Sequence, residues 1–518
     1  MEKLFTRTTV LMILVGGGNL LAGLVFLGVV AATYGAGRSL EAFYLADAVP
    51  GFLNDRLLFG AVNIVLVPLL CSERLRANRQ ESWHIASTFI SLLTVLSAVY
   101  VAVILLAAPV IVRAIAPGFD PEQAALTVKL LRLLSFTTLI FTVVSWMRGI
   151  LHAHNVFVAP YLAGVVYFGL SALFVLVGSP WLGIWALGAG TLLAAVIFGA
   201  IHLVPLRRIR VDYRFGIDRS VVRGPLMLFF SYMLVSMATH INYLVDRYFA
   251  SQLAPGSIVI LSLAQKFEIP VTFIVTFAIA IPALTIFSNA VGNEEQLRDG
   301  VRNSLGAMSA LAIPLISLLL VVRLPLARVW FEHGEFTLQD SLRVASVVLC
   351  FGPSFLVNAY GAILINGYFS LRAVRICLAV MAGEVALNIW LTALLVRPLG
   401  LEGIALATSL ATLLTNLLLW AVLRSKLKGL GFQGKRAELG RLLSYCLVTA
   451  SSFFGLRCLA GALLPGLLDG RPLPEVLFLA VSAFLLFLVL GVLFRIPEVR
   501  ELVRLFQGLL RGEPASNR

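Results

Sequence analysis

Apolar runs of about twenty residues follow one another almost without a break between residues 9 and 494. A helix needs about 20 such residues to cross the hydrocarbon core of a bilayer. Inside lipid every backbone N–H and C=O must be satisfied internally, which only helices and closed barrels achieve. The runs are continuous and long rather than short and alternating, so they read as helices. Of the chain, 60% is hydrophobic and 13% charged, too little polar sequence for a separate soluble domain or a disordered one. Five cysteines with no C-x-x-C spacing exclude a disulfide scaffold. The expected fold class is an all-α polytopic membrane protein.

Fourteen spans are expected, at about 9–34, 43–70, 84–110, 126–147, 156–178, 181–204, 222–250, 256–288, 304–322, 342–366, 374–396, 401–423, 440–464 and 475–494. The first is too long for the apolar region of a signal peptide and is read as an uncleaved span. Interior prolines mark two spans as broken or bent: Pro50 in the second, Pro270 and Pro282 in the eighth. The net charge of +14 lies in short clusters between runs, the distribution of a membrane protein rather than a nucleic-acid binder. With loops numbered in order, the even-numbered loops and both tails carry 27 of the 40 Lys and Arg residues, and the odd-numbered loops carry 6. That bias places both termini in the cytoplasm.

An internal repeat joins the two halves. Gly37-Arg38-Ser39 corresponds to Gly256-Ser257, Asp47 to Lys266, and Pro50 to Pro270. Gly183-Ile184-Trp185-Ala186-Leu187 corresponds to Gly403-Ile404-Ala405-Leu406. Two six-span lobes, residues 1–206 and 207–425, are therefore expected, followed by two extra spans and a tail over 426–518. Such repeats are typical of transporters whose binding site lies where the repeats meet.

Charges inside a membrane are costly and mark functional positions by default. Span 2 carries Asp47, Asp55 and Arg56 with Asn54 beside them, and Glu41 stands at its entrance. Span 7 carries His240, Asp246 and Arg247, and span 8 carries Lys266 and Glu268. Glu384 and Arg457 stand alone in spans 11 and 13. Arg56, Arg247 and Lys266, with Asn54, are the expected substrate contacts, because guanidinium groups grip phosphate oxygens in pairs and a lysine adds a point charge. Asp47, Asp55, Asp246, Glu268 and Glu41 are the expected charge-balancing or ion-coupling groups. The competing reading of these residues is structural pairing, or for Arg247 a side chain reaching the headgroups. No nucleophile–His–acid set is evident, and no loop is long enough for a catalytic domain. No catalytic residue, metal site or cofactor is expected, only a coupling ion or the membrane potential.

Several segments resemble the MurJ/MviN family of lipid II flippases, within the superfamily of multidrug, oligosaccharidyl-lipid and polysaccharide exporters. They are Tyr34-Gly35-Ala36-Gly37 with Glu41-Ala42-Phe43, Ala116-Pro117-Gly118-Phe119, and Ala125 to Arg132. Gly149-Ile150-Leu151-His152-Ala153-His154, Asn242 to Arg247 leading to Pro255-Gly256-Ser257-Ile258, and Phe331 to Phe336 complete the set. The resemblance implies a fourteen-helix, two-lobe fold working by alternating access. It also implies a polyprenyl-diphosphate-linked glycan as cargo in a bacterial inner membrane, and a tail groove formed by spans 13 and 14. The chain departs from the family pattern in three places. Leu20 to Phe26 has no charge where the family has two arginines. Asn54 and Phe59 stand in place of an arginine and a glutamate. Ala264-Gln265-Lys266 replaces Ala-Asp-Arg.

The function expected is therefore a flippase for lipid II or a related lipid-linked oligosaccharide, acting as a monomer among membrane lipids. Alternatives are an exopolysaccharide or O-antigen repeat-unit flippase, and an ion-coupled drug exporter, which would need an acidic cavity.

Overall fold

The computed structural model describes residues 7–53, 62–71, 79–209, 211–290, 292–371, 373–427, 430, 436–463, 472–497 and 499–500. Among these, every regular element is a helix. In order they are α1 (Arg7–Tyr34), α2 (Arg38–Phe52), α3 (Val62–Cys71), α4 (Arg79–Ile115), α5 (Pro121–Ala153), α6 (Val158–Leu182), α7 (Ile184–Leu206) and α8 (Arg219–Ala250). Then follow α9 (Ser257–Gln265), α10 (Glu268–Val275), a π-helical turn (Thr276–Ala280), α11 (Ile281–Asn289), α12 (Glu294–Phe331), α13 (Leu338–Ser370), α14 (Val374–Lys426), α15 (Arg436–Leu463) and α16 (Pro472–Leu493).

Eleven helices among the described residues are long and apolar enough to cross a membrane. They account for the expected spans once three facts are joined. The 53 residues of α14 hold two spans, divided at Gly400, whose φ of 60° and ψ of −129° leave the helical region. Span 2 is carried by α2 and α3 in two pieces. Span 7 is α8, long enough but more polar. Gly183, between α6 and α7, has φ 54° and ψ −134°, nearly the conformation of Gly400. A side chain cannot reach that region without strain, and glycine can. The two halves thus share one device, a single glycine reversing the chain between consecutive spans. Its register differs by three residues from the sequence correspondence, which paired Gly183 with Gly403.

The broken helices follow from proline chemistry. In α2, Pro50 supplies no N–H, and Leu53 N donates to the Pro50 carbonyl one residue short of the helical pattern. The Val49 carbonyl so released accepts the Tyr100 hydroxyl from α4 at 2.7 Å. Span 8 breaks twice. Pro270 sits in the first turn of α10, where its missing N–H costs nothing, and the chain turns through Lys266 and Phe267 before it. Pro282 opens α11 just after the π-helical turn.

The chain divides into two compact units, Lys3–Val259 with Trp330–Thr337, and Ile260–Val329 with Leu338–Arg518. The division falls inside span 8, whereas the repeat sets a boundary at residue 206; compactness follows packing and the repeat follows sequence. In the first unit α5 is central, touching α2, α3, α4 and α7. α8 lies against α4, with Phe229 edge-on to Phe89 at 5.9 Å. Asp218 caps α8, accepting from Ser220 N and Oγ at 2.9 and 2.6 Å and from His84 Nε2 at 3.0 Å. The Ser220 and His84 hydrogen bonds hold its carboxyl at about 2, below the ordinary aspartate range. The arginine-bearing segment before it docks on α4 through Tyr213, which meets Ser91 at 3.1 Å and stacks on Trp146. In the second unit α13 packs along α14, and α15 and α16 form a pair closed over α12 by Val321, Val322, Phe453, Leu479 and Ala483.

Candidate functional site

The first unit buries a charged cluster where α2 meets α8. Asp246 and Arg247 are 2% and 0% exposed. Arg247 folds back one turn, donating from Nη1 to the Tyr243 carbonyl at 3.0 Å with its guanidinium over the Tyr243 ring. Asp47 and Tyr44 of α2 face it together with Asp246. His240, two turns before Arg247, meets Phe52 of α2 edge-on at 5.3 Å. Two carboxylates thus lie within electrostatic reach of one guanidinium, the compensation a buried cation requires. Arg247 is buried, so it does not reach for headgroups.

One end of the same unit is a packed cap of loops. Glu41, 4% exposed in the first turn of α2, joins them. Its Oε1 accepts the Ile258 N–H at 3.0 Å and its Oε2 accepts Gln123 Nε2 at 3.2 Å. The Ile258 N–H is one of the unpaired donors at the start of α9, and a carboxylate there also meets the positive end of the helix dipole. Gly256 just before has φ +86°, and a Cβ on it would strike the Ala36 carbonyl. The segment after Phe331 joins through Glu335 N–H, which donates to the Ala32 carbonyl at 2.9 Å. Asp120 caps α5 through Gln123 N at 2.8 Å and pairs with Arg38 at 2.6 Å. Segments 34–37, 116–120, 255–258 and 331–336, scattered in sequence, are thus neighbours.

The second unit holds Lys266 and Glu268 at the break between α9 and α10. Both are half-buried, and Glu268 Oε1 accepts Asn358 Nδ2 at 2.9 Å. Glu384 is not alone: Thr412 Oγ1 donates to it at 3.2 Å, and nearby on the same two arms of α14 Asn388 bonds Thr408 at 3.1 Å and Thr392 at 3.2 Å.

Of the expected site residues, Asp47, Asp246, Arg247 and Glu41 belong to the first unit and Lys266 and Glu268 to the second. Asn54, Asp55 and Arg56 lie outside the described residues. Within the first unit, Asp47, Asp246 and Arg247 come together, while Glu41 stands in the cap. Sequence reasoning missed Tyr44, Tyr243 and Gln123. Tyr44 precedes Asp47 by three residues and Tyr243 precedes Arg247 by four, spacings that put each pair on one helix face and so carried a usable signal. Gln123 had none. Among the described residues no group of His, Cys, Asp and Glu could hold a metal.

The family model described as "Lipid II flippase MurJ" matches residues 30–465. A probable lipid II flippase MurJ of Synechocystis is 23% identical, with 82% of each chain covered. That of Rhizobium tropici is 28% identical, over 79% of this chain and 80% of its own. Among solved structures, a lipid II flippase MurJ in an inward closed conformation has a TM-score of 0.76 at 20% identity, covering 94% of this chain and 99% of that one. An inward-facing multidrug MATE transporter has a TM-score of 0.62 at 14% identity, over 83% and 97%. These likenesses show an all-α transporter fold.

Proposed function

The chain belongs to the lipid II flippase MurJ family, a multi-pass membrane transporter and not an enzyme, and from that premise we propose that it carries an undecaprenyl-diphosphate-linked glycan, lipid II first, across the bacterial inner membrane by alternating access. Both termini lie in the cytoplasm, as the loop charges require. The observation that carries the reading is the cap: four of the segments that resemble the family are neighbours there, and within it Glu41 holds the first turn of α9. Lys266 and Arg247, with Arg56 and Asn54, attract the diphosphate, and Asp47, Asp55, Asp246 and Glu268 balance their charge when no cargo is bound. The membrane potential or an ion taken up by these carboxylates resets the transporter.

A second reading, a flippase for an exopolysaccharide or O-antigen unit, is favoured by one observation: the uncharged stretch from Leu20 to Phe26 in span 1. Flipping of fluorescent lipid II by the full chain in proteoliposomes tests both. Transport of lipid II that falls at least about tenfold in the Lys266→Ala, Arg56→Ala double variant is expected. Unchanged transport in that variant overturns the assigned phosphate contacts. Transport of another lipid-linked glycan with none of lipid II selects the second reading.

A further inference from the structure

Two arginines of neighbouring helices meet one stretch of backbone in the second unit, near the end of α12 that the loop charges assign to the outside. Pro325 has no N–H, so the Val321 carbonyl one turn earlier lacks its helical donor. The Arg457 guanidinium, from α15, donates to that carbonyl. Arg323 of α12 donates to the adjacent Leu320 carbonyl, and the two guanidinium groups lie within electrostatic reach of each other. One arginine capping a proline-released carbonyl is ordinary structural use. A second like charge beside it, in a membrane-depth seam, is not explained that way.

The surroundings neutralise the group only in part, with the carboxylates of Glu475 and Glu402 set against the guanidiniums of Arg323, Arg328 and Arg457. Glu475 of α16 faces Arg457 and Arg328, and Glu402 of α14, which accepts from Ser346 at 2.7 Å, lies beside Cys350. None of the ion pairs among the described residues includes Arg323 or Arg457. Each guanidinium has five donors, and the carbonyl bonds described use one nitrogen of each. Farther along, the seam is closed by Val321, Phe453 and Leu479, and outside it Phe454, Leu473 and Leu477 are exposed. Charged donors next to exposed apolar side chains suit an amphiphile whose anionic group sits at the arginines and whose apolar part stays in the surrounding lipid.

We propose that Arg323 and Arg457 together bind the phosphate or diphosphate group of a membrane amphiphile. Paired guanidinium groups match phosphate oxygens in geometry and charge. The site stands on the second unit alone, and holds whether or not the transport reading does.

Native mass spectrometry of the full chain in detergent tests it with phosphatidylglycerol, undecaprenyl diphosphate and phosphatidylcholine as probes. The wild-type chain is expected to retain at least one of the two anionic lipids about tenfold better than phosphatidylcholine. The Arg323→Gln, Arg457→Gln double variant should fall to the phosphatidylcholine level, since glutamine keeps a polar N–H donor but carries no charge. Arg323→Lys with Arg457→Lys should keep part of the preference. Preference for undecaprenyl diphosphate would identify a polyprenyl lipid, and equal retention of both anionic lipids a phospholipid headgroup; either supports the site. If the double glutamine variant does not fold, each single glutamine variant should lower retention by about threefold. Retention unchanged from wild type in the folded glutamine variants overturns the proposal.

Discussion

Removing the carboxylate of Glu41 should loosen the start of α9 by an amount the geometry sets. Its two oxygens each accept from one buried donor, Ile258 N–H at 3.0 Å and Gln123 Nε2 at 3.2 Å. Glu41→Ala leaves both donors unpaired, at roughly 1–3 kcal/mol each, so about 2–6 kcal/mol in all. Glu41→Gln keeps one acceptor oxygen and presents an N–H to the other donor, so its cost is about 1–3 kcal/mol. The bond is local to the cap, so the loss appears as local opening rather than global unfolding. Hydrogen exchange of the full chain in detergent reads this directly. At about 1.4 kcal/mol per tenfold, amides over 256–260 should exchange at least about 30-fold faster in Glu41→Ala. Amides of α15 should be unaffected. Glu122→Ala, an exposed neighbour in α5, is the control and should change nothing. A Glu41, Gln123 double-mutant cycle should show coupling of about 0.5–3 kcal/mol. If Glu41→Ala leaves the 256–260 amides as protected as in wild type, the cap is not held by this carboxylate.

Three further predictions follow the same logic. Arg247→Met leaves Asp246 buried without its cation and should cost about 3–5 kcal/mol, seen as a lower melting temperature, with Asp246→Asn restoring part of the loss. Gly183→Ala and Gly400→Ala should each cost about 1–3 kcal/mol by the same assay, because both positions need a backbone conformation that alanine reaches only with strain; two unaffected melting temperatures would refute the shared device. Asp218 has its carboxyl held at about 2, below its unfolded value of 3.8, so its support for the first turn of α8 is complete above pH 4 and is lost as pH falls through about 2. Fluorescence of Trp146, stacked on Tyr213 in the segment that Asp218 ends, should change over that range in wild type and not in Asp218→Asn.

Much of this was legible in the sequence because membrane helices obey one-dimensional rules. Run length gave the spans, and Pro50 and Pro270 marked breaks the structure places within a few residues of them. The segments resembling a family read as scattered pieces, and the meeting of four of them in one cap could not be foreseen, since contacts such as Glu41 to Ile258 join positions 217 apart. The repeat was visible but slipped by three residues, because matching side chains drew Gly183 to Gly403 while backbone conformation draws it to Gly400. Arg457 read as a lone charge. Its neighbour Arg323 lies 134 positions earlier, and the link between them is a carbonyl released by Pro325, which side-chain pattern does not reveal.

The central claim is that this chain moves lipid II, and growth rescue tests it most directly. The chain should be expressed in a bacterium depleted of its own lipid II flippase, with membrane insertion checked by fluorescence of a fused reporter. The account predicts growth at a rate set by the wild-type chain and lost with the Lys266→Ala, Arg56→Ala pair. A folded, membrane-inserted chain that supports no growth would contradict it.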